Sequence, residues 1–133
     1  VFLLGSLDDK RVGEEILKYF DQDKLEGLFN FIGRTKIEDV IDIISSSKLV
    51  LTNDSGLMHI AASVKIGLVA VYGPSSPQFT PPLSNKSLIL RKVKGYSKNR
   101  VGSLDKGYHP GLIKIKPEEV LENLSKLESR NDF

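Results

Sequence analysis

The sequence predicts an α/β fold: a Rossmann-like parallel sheet with helices on both faces. Two observations carry that expectation. Short apolar runs alternate with amphipathic helical patterns from one end of the chain to the other. The connections between them are short, and several begin at glycine or at residues that cap helices. Strands joined through helices at such spacing run parallel, their crossovers are right-handed and their helices lie on the sheet faces.

Each element has a local signature. Val1–Leu4 is an apolar run closed by Gly5, read as the first strand. Val12, Ile16, Tyr19 and Phe20 then recur at helical spacing, with Asp8 or Asp9 placed to cap the start. Leu28–Phe31 is the second apolar run, closed by Gly33. Thr35-Lys36-Ile37-Glu38 has the form of a capping box, a hydroxyl and a carboxylate each satisfying an orphan backbone N–H. Behind it Ile37, Val40, Ile41 and Ile44 form one stripe. Leu49–Thr52 is the third strand, and Leu57, Ile60, Ala61 and Val64 mark the helix after it. Leu68–Tyr72 and Leu88–Leu90 are the fourth and fifth strands. Pro117 opens the last helix where its missing N–H costs nothing, with Val120, Leu121, Leu124 and Leu127 on the buried side. The stretch Lys92–Gly111 has no periodicity and carries four glycines.

Composition bounds the function. A chain of 133 residues, 40% hydrophobic and 27% charged, has room for one domain with a core. A formal charge of +2 is too small to argue for nucleic acid as a partner. There are no cysteines, and the two histidines, His59 and His109, lie far apart, so neither disulfides nor a thiolate or histidine metal site is expected. No apolar run approaches the ~20 residues that span a bilayer, and the chain reads as cytoplasmic. Val1–Leu4 looks like a core strand with no lead-in. The expectation is therefore a fragment whose upstream portion is missing.

In parallel α/β sheets ligands bind beyond the carboxyl ends of the strands. The turns that matter are then Gly5–Asp9, Gly33–Thr35, Asn53–Gly56 and Gly73–Pro82. Thr52-Asn53-Asp54-Ser55-Gly56-Leu57-Met58-His59 passes from strand to helix. A helix start offers free N–H groups and a partial positive charge, which suits phosphate, and Gly56 lets a ligand approach the backbone. Asp54 would repel phosphate and is better suited to accepting hydrogen bonds from sugar hydroxyls. His59, one turn on, could reach back to the same space. The plainer alternative is that Asp54 or Ser55 only caps the helix and His59 is surface. The loop Tyr72–Pro82 holds four prolines and must cross the strand ends beside that turn. Asp8 and Asp9 could accept from a ribose diol or simply cap a helix, and Gly33-Arg34-Thr35 could offer backbone groups to a purine edge. Asp21-Gln22-Asp23 has the form of a metal-binding Asp-x-Asp, but lies between a helix end and a strand start, where a solvated turn is expected. Lys86, Arg91, Lys92, Lys94, Lys98 and Arg100 form a basic stretch that reads as solvated surface or as a contact for an anionic acceptor or lipid headgroup.

Taken together these residues resemble the ADP-heptose:lipopolysaccharide heptosyltransferases of glycosyltransferase family nine, nearest to their heptosyltransferase II branch. The stretches TNDSGLMHIAA (52–62), VYGPSSPQFTPPLS (71–84) and GYHPGLIKIKP (107–117) carry the likeness, and LLGS, GRTKIEDVIDII and GYSKNR agree with it. The resemblance implies a GT-B architecture with an acceptor domain first and a donor domain second. Residues 1–133 would be the C-terminal nucleotide-sugar domain, truncated at its first strand and helix. Its partners would be ADP-heptose, the lipopolysaccharide inner core and its own N-terminal domain, at the cytoplasmic face of the inner membrane. Lys86–Arg100 would supply a peripheral membrane contact. Heptose would pass to the acceptor with inversion, with no cofactor and no metal, and the general base would belong to the missing domain. Carried over by position, Asp9 would meet the ribose, Thr35 the adenine through its backbone, with Ile37 packing nearby. Asp54 would face the heptose hydroxyls, Ser55 and Gly56 would donate N–H groups to the diphosphate, and His59 would support them. Pro110 and Gly111 depart from the family's pattern, which often has polar residues there. Two other readings stand beside this one: a GT-B transferase for another nucleotide sugar, and a non-catalytic nucleotide-binding module.

Overall fold

A computed structural model describes residues 1–21, 24–95 and 108–131. Two compact units divide the chain, Val1–Ile43 and Ile44–Phe133. Gln22, Asp23, Lys98, Arg100 and most of the 92–111 stretch fall outside the described residues.

In the first unit, β1 (Phe2–Leu3) and β2 (Phe29–Asn30) pair in parallel, Phe2 opposite Phe29. Their ladder continues past the strand ends: Phe29, Phe31 and Gly33 donate N–H to the carbonyls of Val1, Leu3 and Gly5 at 2.8, 2.9 and 3.0 Å. Phe2, Phe29 and Phe31 stack on one another with ring centroids 5.4 to 6.4 Å apart. Gly33, at φ +68°, turns the chain out of this ladder; an added Cβ would also lie 3.1 Å from the Leu7 backbone.

The helix that follows β1 corrects one expectation. α1 (Lys10–Leu17) stops before Tyr19 and Phe20, and the stripe Val12, Ile16, Tyr19 and Phe20 is exposed. The helix instead packs through its backbone: Gly13 is its buried residue, and a Cβ there would sit 2.6 Å from Ile32 Cδ1. Where a helix approaches through a glycine, the face that is pressed inward is the one without side chains. A second correction concerns α2 (Ile37–Ser45). Its first backbone bond runs from Val40 N–H to the Lys36 carbonyl, so the residue three beyond the cap is Asp39 rather than Glu38. Asp39 Oδ2 accepts from Lys36 N–H at 2.8 Å. Only the carboxylate half of a box is present, one residue further on, because Lys36 has no side-chain acceptor. Val40 and Ile44 are buried, whereas Ile37 and Ile41 are exposed.

The second unit holds β3 (Leu49–Asn53), β4 (Gly67–Tyr72) and β5 (Ser87–Arg91), all parallel, in the order β3-β4-β5. The expected sheet is thus present as two parallel sheets among the described residues, one of two strands and one of three. β4 is central, which is why it reads as a continuous apolar run: Leu68, Val69, Ala70 and Tyr72 are fully buried. Each large side chain buried this way contributes about 1.5–3 kcal/mol. α3 (Gly56–Ser63) lies against β3 and β4, bringing Met58 and Ala61 into the same core. α5 (Pro117–Asn131) starts at Pro117 as expected and also packs on β3 and β4. Leu127 is its most deeply buried residue, while Leu121 stays exposed.

A short helix, α4 (Pro110–Ile113), is placed by two close approaches. His109 Nδ1 caps it, accepting from Gly111 N–H at 3.1 Å, and a Cβ on Gly111 would lie 2.2 Å from Val93 Cγ2. Gly73, just past β4, faces Leu112. The Tyr-His-Pro-Gly segment (108–111) therefore has a structural duty at the carboxyl end of the sheet. None of the helices is long and apolar enough to cross a membrane, among the described residues.

Candidate functional site

The pairing register sets the three carboxyl ends of the second sheet level: Asn53 stands opposite Val71, and Tyr72 opposite Arg91. Three connections leave from that edge, the turn Asp54-Ser55, the proline-rich loop and the segment after Arg91.

Ser55 is the N-cap of α3, with extended backbone at φ −152° and ψ 173°. Its hydroxyl makes no cap bond; its Oγ lies 3.5 Å from Thr52 Oγ1 instead. The first bond of the helix turn runs from Met58 N–H to the Ser55 carbonyl at 3.1 Å. The amides at a helix start have no intrahelical acceptor, so without a side-chain cap they keep their capacity to donate. Gly56 is exposed, and nothing lies within 4 Å of where its Cβ would be. Capping therefore accounts for the backbone of Ser55 but not for its side chain, and neither residue lies under packed side chains.

Asp54 is half-buried and held from the neighbouring loop. Thr80 donates its hydroxyl to Asp54 Oδ2 at 3.1 Å. Thr80 is itself fixed twice: its N–H donates to the Ser76 carbonyl at 3.2 Å, and its carbonyl accepts from the Tyr72 hydroxyl at 2.6 Å. The Tyr72 oxygen also lies 3.2 Å from Met58 Sδ. Burial, with the charge of Asp54 adding to it, pushes the Tyr72 phenol up to about 12, so it remains a hydroxyl donor at any working pH. The proline-rich loop does lie beside the Asp54 turn.

Arg91 ties the same loop to the next segment. Its guanidinium donates to the carbonyls of Ser75, Val93 and Gly95 at 2.9, 2.7 and 2.6 Å. Lys92 pairs with Glu119. Two members of the basic stretch thus have partners within the fold, although Lys92, like Lys86 and Lys94, is exposed.

The seven residues singled out from the sequence divide by unit. Asp54, Ser55, Gly56 and His59 share the β3–α3 junction; His59 is exposed. Asp9, Thr35 and Ile37 belong to the first unit. Asp9 ends a 3-10 turn (Leu7–Asp9), and its Oδ2 accepts from both the hydroxyl and the N–H of Ser6 at 2.7 Å. These bonds, the hydroxyl first, hold its carboxyl below the usual range. Ser6 caps the 3-10 turn, with Asp9 as the acid that answers it; Asp9 is in turn the N-cap of α1, as expected, but makes no side-chain cap bond there. A carboxylate has about four lone-pair sites, so the capping bonds leave Asp9 able to accept further. Thr35 is half-buried beyond the Gly33 turn and Ile37 is exposed. No group of three or more His, Cys, Asp or Glu residues is placed to hold a metal ion among the described residues.

Tyr72, Ser76 and Thr80 escape motif reasoning because the hydrogen bonds that link them to Asp54 join strand, loop and turn across the fold. The available signal was a hydroxyl-bearing aromatic at the end of an otherwise apolar central strand. Such a phenol needs a partner when buried.

Residues 1–109 match the family model described as glycosyltransferase family 9 (heptosyltransferase). The chain is 46% identical to lipopolysaccharide heptosyltransferase 2 of Salmonella typhimurium over 129 residues, covering 97% of this chain and 37% of that protein. It is 48% identical over 128 residues to lipooligosaccharide heptosyltransferase 2 of Haemophilus influenzae, covering 96% and 37%. The solved structure of E. coli ADP-heptose lps heptosyltransferase II superposes with a TM-score of 0.89 at 41% identity, over 100% of this chain and 37% of that one. The chain thus spans little more than a third of the length of these relatives.

Proposed function

From the premise that this chain belongs to glycosyltransferase family 9, the heptosyltransferases, we propose that it is the donor-binding part of a GT-B transferase. That enzyme would move heptose from ADP-heptose to the inner core of lipopolysaccharide, with inversion, at the cytoplasmic face of the membrane. The observation that carries the reading is the β3–α3 junction. An uncapped helix start and a carboxylate fixed by the adjoining loop stand side by side at the carboxyl edge of a parallel sheet.

In this reading the amides of Ser55 and Gly56 donate to the diphosphate, and Asp54 accepts from heptose hydroxyls. The chemistry suits the parts. As the anomeric bond breaks, negative charge grows on the leaving ADP, and the dipole at the start of α3 stabilises that charge without reorganising. Asp54, a fixed acceptor, sets the orientation of the sugar as an acceptor hydroxyl attacks the anomeric carbon from the opposite face. His59 lies one turn along α3 and supports the cluster. Asp9 receives the ribose diol through lone pairs not used by Ser6, and Thr35 meets the adenine through its backbone beside Ile37. The general base comes from a part of the protein outside this chain.

Replacing Asp54 with alanine in the full-length protein tests the assignment. Transfer from ADP-heptose should fall by about 100-fold or more, on the order of a lost positioning contact, while affinity for ADP alone changes little. Near-normal transfer would remove Asp54 from the mechanism.

A further inference from the structure

We infer that Thr80 is a positioning residue for Asp54: it is the latch by which the proline-rich loop sets the orientation of the carboxylate that meets the donor sugar. The inference rests on the functional reading above and extends it to a residue outside the turn itself.

The geometry is specific. A carboxylate at the end of a short side chain can rotate, and a sugar diol is recognised only if its two oxygens are aimed correctly. Thr80 removes that freedom by donating to Oδ2 at 3.1 Å. Its hydroxyl also lies 3.4 Å from the Ser76 carbonyl, but one proton serves one strong bond, and the nearer, charged acceptor is favoured. The latch is rigid because the backbone on either side of that hydroxyl is pinned. Ser76, itself buried, gathers the N–H groups of Phe79 and Thr80 on its carbonyl at 3.0 and 3.2 Å. Tyr72, fully buried on the central strand, holds the Thr80 carbonyl at 2.6 Å. The loop is anchored a second time at Ser75 by Arg91. Strand β4, the loop and the β3–α3 turn thus form one hydrogen-bonded circuit that ends on a single oxygen of Asp54. The other oxygen and the remaining lone pairs are left for the sugar. Thr80 itself is exposed, so its hydroxyl is not needed to fill the core.

The test uses the full-length protein with ADP and ADP-heptose as probes. Thr80→Val keeps the shape and removes the donor; Thr80→Ala accompanies it should the second methyl group disturb the turn. Turnover should drop about 10-fold or more, in the range lost when a positioned group is misaligned. Affinity for ADP alone should stay within about 2-fold of the parent, since the amides of Ser55 and Gly56 are untouched. Thr80→Ser should restore most of the turnover, which a merely structural role would not require. In the Asp54→Ala background, adding Thr80→Val should cost less than about 2-fold more, as expected for two residues acting as a unit. If Asp54→Ala is severely impaired while both the valine and alanine variants turn over normally, the latch is wrong and the functional reading survives. If Asp54→Ala is itself near normal, the functional reading fails with it. Equal losses from Thr80→Val in the two backgrounds would also overturn the inference.

Discussion

Replacing Tyr72 with phenylalanine removes a single oxygen from the centre of the second unit, and the structure sets the size of the effect. The hydroxyl is buried and donates to the Thr80 carbonyl at 2.6 Å. Losing a neutral hydrogen bond of this kind, with a partly buried carbonyl left behind, costs about 1–2 kcal/mol. For a chain of this size that corresponds to a midpoint lowered by about 3–8 °C. The second limb of the prediction is the pH dependence. The phenol ionises near 10.0 in the unfolded chain and at about 12 in the folded one. Because the folded value is raised, its contribution is complete below pH 10 and is lost as pH rises through about 12. The phenylalanine variant has no such group. The stability gap between the two proteins should therefore be constant from pH 7 to 9 and shrink above pH 10. Denaturant titration followed by far-UV circular dichroism at a series of pH values measures both limbs. A variant as stable as the parent at pH 7, or a gap that does not shrink at alkaline pH, would refute the buried hydrogen bond.

Three further outcomes follow from the same geometry. Gly111→Ala should destabilise by about 1–3 kcal/mol, because its Cβ would meet Val93 Cγ2 at 2.2 Å and Val93 is stiff about χ1; a chemical denaturation curve checks it. Lys65 closes α3 at φ 59°, a conformation that costs a residue with a Cβ about 1–2 kcal/mol. Lys65→Gly should raise the melting midpoint, less the entropy that glycine adds to the unfolded chain, and a lowered midpoint would count against that strain. Lys92 first, then the Lys116 N–H, hold the Glu119 carboxyl below its usual 4.5. With a depressed folded value, its contribution is present above pH 4.5 and lost as pH falls through the folded value. Glu119→Gln should therefore flatten the acid limb of the stability profile below about pH 4.5, and an unchanged limb would show the pairing to be inconsequential.

Regular patterns and turn chemistry made the second unit legible. β4 could be read from its unbroken apolar run because a central parallel strand is buried on both faces, and Pro117 marked the start of α5. The first unit was less legible, since periodicity reports only that a helix has an apolar side. It does not reveal that α1 packs through Gly13 and leaves Val12 and Ile16 exposed. The start of α2 moved by one residue because Asp39 satisfies the Lys36 N–H, a half-box that a search for a hydroxyl at the cap does not find, since Lys36 has no side-chain acceptor. At the candidate site, Asp54, Ser55 and Gly56 were visible as a strand-to-helix turn. Thr80 was not, because the bond that gives it meaning spans 26 residues of sequence. Arg91 and Lys92 show the same limit: a basic run looks solvated until its carbonyl and carboxylate partners are seen.

The central claim is that the amides at the start of α3 receive the diphosphate of a nucleotide sugar. A crystal structure of the full-length protein with a non-reactive ADP-heptose analogue tests it most directly. The account predicts phosphate oxygens within about 2.7–3.2 Å of the Ser55 and Gly56 nitrogens, with heptose hydroxyls on Asp54. A diphosphate bound elsewhere, with those amides facing only solvent, would contradict it.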